Sequence, residues 1–105
     1  MNANSVPEDR LPKFIRSGPQ WVESDTGFIV RSAGRYKKEY VEGDHVLVVP
    51  IEHHGDPFTV ILYLSKAQKW EPPYDKEQIS ADKLQKINVD IIAALKFLNT
   101  PIEVK

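Results

Sequence analysis

From Gly27 onward the chain alternates short apolar runs with turn residues, and that pattern predicts strands. Gly27–Ser32 (G-F-I-V-R-S) is short, apolar and partly β-branched, and Ala33-Gly34 supplies a tight turn. Tyr36–Val41 (Y-K-K-E-Y-V) carries aromatics at Tyr36 and Tyr40 with charges between them. Gly43-Asp44 is a two-residue hairpin loop of the kind that favours glycine first. That loop sets Val41 opposite Val46 and Tyr40 opposite Leu47, so apolar side chains face each other and the register is self-consistent. His45–Ile51 (H-V-L-V-V-P-I) is apolar at both parities, which predicts a strand covered on both faces, with Pro50 near its end or at a bulge because proline cannot donate to a ladder. His53-His54-Gly55-Asp56-Pro57 reads as the next turn, and Phe58–Leu64 (F-T-V-I-L-Y-L) as a central strand.

The period then changes. Leu84, Ile87, Ile91, Ala94, Leu95 and Leu98 fall on one helical stripe, while Lys83, Lys86, Asp90 and Lys96 fall largely off it. Ser80 is positioned to cap the first turn, Asp82 suits the positive end of the helix, and Ile79 and Leu84 occupy the two positions of a hydrophobic staple. Asn99-Thr100-Pro101 stops the helix, and Ile102-Glu103-Val104 predicts a short last strand that adds at an edge.

Before these elements, residues 1–20 are punctuated by Pro7, Pro12 and Pro19 and read as an irregular lead-in, with Trp21-Val22 docking on the core. Between the last long strand and the helix lies K-W-E-P-P-Y-D-K-E-Q-I-S, Lys69–Ser80. Its prolines restrict Glu71 and Pro72 to extended backbone, so the stretch reads as a crossover connection anchored by Trp70. The expected fold class is therefore α+β. An antiparallel β-meander of four to five strands packs on one C-terminal amphipathic helix, within a single domain over residues 21–105. In this arrangement Trp70 seals a corner and no hollow remains.

Composition narrows the function. The chain has 105 residues, 14 basic and 15 acidic, so it lacks the basic excess of a dedicated nucleic-acid binder. It has no cysteine, hence no disulfide, thiolate metal site or cysteine nucleophile, and the cytosol fits. The first residues lack a basic-then-apolar signal pattern, and the longest apolar run, Val46–Ile51, is far too short to span a membrane.

Candidate chemistry is sparse. His53 and His54 are adjacent, so on a strand they point to opposite faces and do not share an ion; no metal or cofactor is expected. Ser32, Ser65 and the three histidines form no nucleophile signature, so the expectation is a non-enzyme. Two alternatives stay open. One is a ligand-binding or enzymatic pocket near Trp70 and the histidines. The other is a single-strand nucleic-acid platform on Arg31, Arg35, Lys37 and Lys38 with Tyr36 and Tyr40. A different surface stands out by charge. Glu39, Glu42 and Asp44, followed by Glu52 and Asp56, form an acidic stretch suited to capturing a basic partner.

The run of a short meander, K-W-E-P-P-Y, I-S, the helix I-N-V-D-I-I-A-A-L-K-F-L and a closing I-E-V resembles small immunity proteins of bacterial polymorphic toxin systems, including contact-dependent growth inhibition. The resemblance rests on Trp70, Pro72, Pro73, Ile79, Ser80, Ile87, Ile91 and Ile102-Glu103-Val104. It implies a cytoplasmic, non-enzymatic inhibitor that binds one cognate toxin domain, often a nuclease, and blocks its active site or substrate path. Carboxylates that mimic phosphate would then contact the toxin, giving Glu39, Glu42, Asp44, Glu52 and Asp56 as partner-binding residues with Tyr40 or Tyr74 as aromatic anchors.

Overall fold

The structure, a computed structural model, describes residues 13–55 and 59–105. Its strands are β1 (Phe14–Gly18), β2 (Trp21–Ser24), β3 (Phe28–Ser32), β4 (Lys37–Glu42), β5 (His45–His54), β6 (Thr59–Leu62) and β7 (Ile102–Val104), with one helix, α1 (Ala81–Phe97). The seven strands found among the described residues join one sheet in chain order. The class is α+β as expected, but the sheet is larger than a meander of four to five strands.

The additional hairpin comes from the segment read as irregular. Residues 1–12 of that lead-in lie outside the described residues, but Phe14–Gly18 pairs with β2 around the two-residue turn Pro19-Gln20. The Arg16 guanidinium clamps the turn, donating to the carbonyls of Gly18 (3.2 Å) and Pro19 (3.0 Å). In β1 the side chain that packs against the core is Phe14, while Ile15, Arg16 and Ser17 are exposed. A strand with so little apolar alternation leaves almost no hydrophobic signature, and its proline reads as disorder rather than as a turn. In β2 Val22 docks as expected, whereas Trp21 faces outward beneath the Arg31 guanidinium, 5.1 Å from the ring centre.

The predicted β4–β5 register is present, with Val41 opposite Val46 and Tyr40 opposite Leu47. Gly43 has φ +60° and Asp44 does not share that left-handed geometry, as the glycine-first loop requires. Tyr36, expected to begin β4, instead lies in the preceding turn with its ring exposed. β5 runs past Pro50 to His54, and the proline falls where the strand changes partners. Residues 45–50 pair with β4 and residues 51–54 with β6. The missing N–H therefore coincides with a break between two ladders. β5 is covered on one face only. Leu47, Val49 and Ile51 are buried, but Val46, Val48 and Pro50 are half-buried on the side away from the helix. β7 does take an edge, but it pairs with β6 in parallel, because α1 returns the chain across the sheet before it extends again.

The core is built on a cross-strand row. Val22 faces Val30, Val30 faces Tyr40, Tyr40 faces Leu47, and Leu47 bridges to Trp70. All are buried, and Ile87, Ile91, Ala94 and Leu95 of α1 join the same apolar cluster. Rings extend it in both directions. Phe97 meets Phe14 (5.5 Å between centres), then Phe28 (5.9 Å), Tyr40 (5.3 Å), Trp70 (6.4 Å), His45 (5.0 Å) and Tyr74 (3.8 Å) follow in series.

The helix ends behave as read. Ser80 Oγ accepts from the Lys83 amide at 3.1 Å, and Asp82 lies in the first turn. At the other end Asn99 has φ +56°. Its amide donates to the Lys96 carbonyl (2.9 Å), and the Thr100 amide donates to that of Leu95 (3.0 Å). This is a Schellman cap with asparagine in place of glycine, and Pro101 follows it. Asp90 departs from expectation. It is 5% exposed, on the buried side of α1, and is held by the ammonium of Lys86 one turn earlier at 3.1 Å.

Two outcomes follow from this core. Trp70→Ala should cost about 3–5 kcal/mol in urea denaturation, because it empties the end of the cross-strand row; a loss below about 1 kcal/mol would contradict the anchoring role. Burial, reinforced by the charges of Glu42 and Asp90, raises the Tyr40 phenol well above its ordinary 10.0. A phenol that ionises later in the folded chain contributes full stability below pH 10.0 and loses it as pH rises further. Lys38, whose ammonium is lowered by burial, acts in the opposite sense below its ordinary 10.5. The difference between wild type and Tyr40→Phe isolates the phenol: the variant's melting temperature should fall less steeply above pH 10.0.

Candidate functional site

The expected partner-binding residues separate when the chain folds. Glu39 lies on the face away from the helix, where it accepts from Arg31 Nε at 2.7 Å. Tyr40, the next residue, points to the other face and is 1% exposed, so it is a core residue and not an anchor for a partner. Glu52 lies beyond Pro50, exposed at the far end of β5. Asp56 lies outside the described residues. Glu42, Asp44 and Tyr74 do come together.

They meet at a corner formed by the tip of the β4–β5 hairpin, the loop from Trp70 to Ser80, and the start of α1. Trp70 is buried beside Leu47, and the next amide, of Glu71, donates to the Val46 carbonyl at 2.7 Å. Two tight turns follow, closed by Tyr74 N–H to Glu71 C=O (3.1 Å) and Glu77 N–H to Tyr74 C=O (3.0 Å), with a cis bond between Pro72 and Pro73. These turns lay the Tyr74 ring flat on His45, 3.8 Å between centres and 20° from parallel. The imidazole in turn meets the edge of Trp70. His45 Nε2 lies 3.1 Å from each carboxylate oxygen of Glu77. A carboxylate only accepts, so Nε2 carries the proton in this contact. Tyr74 O–H reaches Asp44 Oδ2 at 3.5 Å, and Lys83 Nζ donates to Glu42 Oε1 at 2.7 Å.

The corner thus gathers Glu42, Asp44, Glu71, Asp75 and Glu77 against Lys69, Lys76 and Lys83. Glu71, Asp75 and Glu77 are exposed, and all three belong to the stretch read as a spacer. That reading is right about Trp70, but the connection also carries most of the corner's charge. The signal was the three carboxylates within Glu71–Glu77, a span fastened at one end by a buried tryptophan. His45 was missed as well, because nothing local to it announces a partner in sequence as distant as Glu77.

The other candidate groups distribute differently. His53 Nε2 donates to the Arg35 carbonyl at 3.0 Å, and among the described residues no cluster of histidine and carboxylate side chains could hold a metal. The Arg31–Tyr40 ribbon divides between the two faces of the sheet: Arg31 pairs with Glu39, while Lys38 turns inward and is 4% exposed. The expectation of no hollow is corrected. A cleft of about 1230 Å³ opens at the end of the β4–β5 hairpin remote from Trp70, lined by residues that include Lys38, Pro50, His53 and Thr100. Closing the Trp70 corner leaves that opposite end open. Among the described residues no helix is long and apolar enough to cross a membrane.

No curated protein and no solved structure matches the chain significantly. A family model does, that of Immunity protein 74, over residues 39–105. The matched region takes in β5, the Trp70 loop, α1 and β7, the elements that assemble the acidic corner and the helical layer of the core. With well over half of its length matched, the chain belongs to the Immunity protein 74 family.

Proposed function

We propose that this chain is the cytoplasmic antidote of a bacterial polymorphic toxin system of the contact-dependent type, and that it binds and neutralises a nuclease-type toxin domain without catalysing a reaction. Membership of an immunity family supports the antidote role. The observation that carries the mode of action is the acidic corner. Asp44, Glu71, Asp75 and Glu77 project from a hairpin tip and a loop already fixed by Trp70, His45 and Tyr74. A preorganised set of carboxylates loses little entropy on docking, and it presents oxygens to the Lys and Arg groups with which a nuclease grips phosphate. The half-exposed Tyr74 ring adds an aromatic surface at the centre of that charge. Blocking the active site or the substrate path follows from occupying the cationic surface.

Changing Asp44, Asp75 and Glu77 to their amides, together with Glu71→Gln, tests this with the toxin domain encoded beside this chain's gene as partner. Affinity should fall by about 10- to 100-fold at low salt, mainly through slower association, and the steep salt dependence of the wild type should flatten. The variant should lose protection of cells expressing the toxin while keeping its melting temperature. Unchanged affinity and salt dependence would remove the corner from the interface.

A further inference from the structure

The cleft at the other end of the β4–β5 hairpin has an unusual charge. The chain as a whole holds one more acid than base, yet the cleft is lined by Arg35, Lys38 and Lys66 against a single carboxylate, Glu52. These cations come from three separate places: the β3–β4 turn, β4, and the short 3₁₀ turn Leu64–Lys66 after β6. Arg35 and Lys66 are exposed and lie over the rings of Tyr36 and Tyr63, at 5.9 and 5.0 Å.

Lys38 is different. It is 4% exposed, and its ammonium is held by two neutral acceptors, Gln20 Oε1 and Ser32 Oγ, each at 2.9 Å. Both acceptors also line the cleft. An ammonium has three donors, so this pair leaves one over, and no carboxylate among the described residues lies within ion-pair distance of it. Buried lysines ordinarily have an ionic partner. Burial without one lowers the Lys38 ammonium below its ordinary 10.5. A purely structural role would be met as well by an apolar side chain of the same length.

We propose that this cleft binds a small oxyanion, a carboxylate or a phosphate, through Lys38 at its inner wall and Arg35 and Lys66 at its rim. The bound anion supplies the counter-charge that the chain itself withholds, and accepts the remaining Lys38 donor. The site is separate from the acidic corner and stands whether or not that corner contacts a toxin.

Thermal melts of the full chain with inorganic phosphate, and separately with succinate, test the site against sodium chloride of matched ionic strength. The expected result is a saturable rise of about 5 °C at ~10 mM of the favoured anion, and the anion that produces it names the ligand class. Lys38→Met should abolish the rise while leaving the anion-free melting temperature equal or higher, and Arg35→Ala should reduce it. Should Lys38→Met fail to fold, the exposed Arg35→Ala decides alone: an undiminished rise overturns the proposal. So does no rise with either anion in the wild type, or a rise that survives in folded Lys38→Met. The test involves no toxin, so its failure leaves the antidote reading untouched, and loss of toxin binding in the corner variant leaves this one untouched.

Discussion

The fold depends on the contact between Tyr40 and Trp70. Tyr40 sits at the middle of the cross-strand row, with Val30 on one side and Leu47 on the other. Trp70 closes that row from the returning chain, as the bridge partner of Leu47. Without it, the chain between Ala67 and Ile79 would keep only the half-buried Tyr74 as an apolar hold on the core. Stacked between Phe28 and Trp70, Tyr40 also links the N-terminal hairpins to the loop that precedes the helix. Its hydroxyl lies 3.5 Å from Glu42, the residue that receives Lys83 from the helix start. One side chain therefore touches the sheet and the loop, and is linked to the helix start through Glu42. The same packing keeps its phenol neutral, since an anion there would face Glu42 and Asp90 in a site short of water.

Much of this was legible where sequence signals are local. The Gly43-Asp44 loop, the facing pairs on either side of it, the Ser80 cap and the stop at Asn99-Thr100-Pro101 each depend on residues within a few positions of one another. Features that rest on distant partners were not legible. Phe14 makes β1 a strand only because Phe28 and Phe97 lie against it. Lys38 and Asp90 carry the side chains of surface residues, yet both are buried, Asp90 against Lys86 and Lys38 against Gln20 and Ser32. The parallel docking of β7 follows from where α1 delivers the chain. The candidate site divides the same way. Its charge was visible, but alternation along β4 sends Glu39 and Tyr40 to opposite faces, and only folding brings Glu77 to His45.

A near-zero net charge conceals a segregated one. Carboxylates dominate the tip of the β4–β5 hairpin, and cations dominate its open end. Helix α1 begins at the first region, and the residues just past its end line the second. That orientation sets negative side chains near the positive end of the helix and positive ones near its negative end, so the helix dipole stabilises the separation while offsetting a small part of its field. A family whose members bind another macromolecule gains from such polarity, because a charged partner is turned before it arrives.

The family match begins at Glu39, within β4, whereas the sheet begins three strands earlier. A chain cut at that boundary would keep Tyr40 and lose Val22, Phe28 and Val30, the buried groups that cover it on one side. It would retain both the helix and the acidic corner yet present an open apolar edge to solvent. In this chain the matched portion thus has part of its core covered by strands that precede it. The preceding hairpins act as a lid on that core, covering rings that the matched portion alone would leave open.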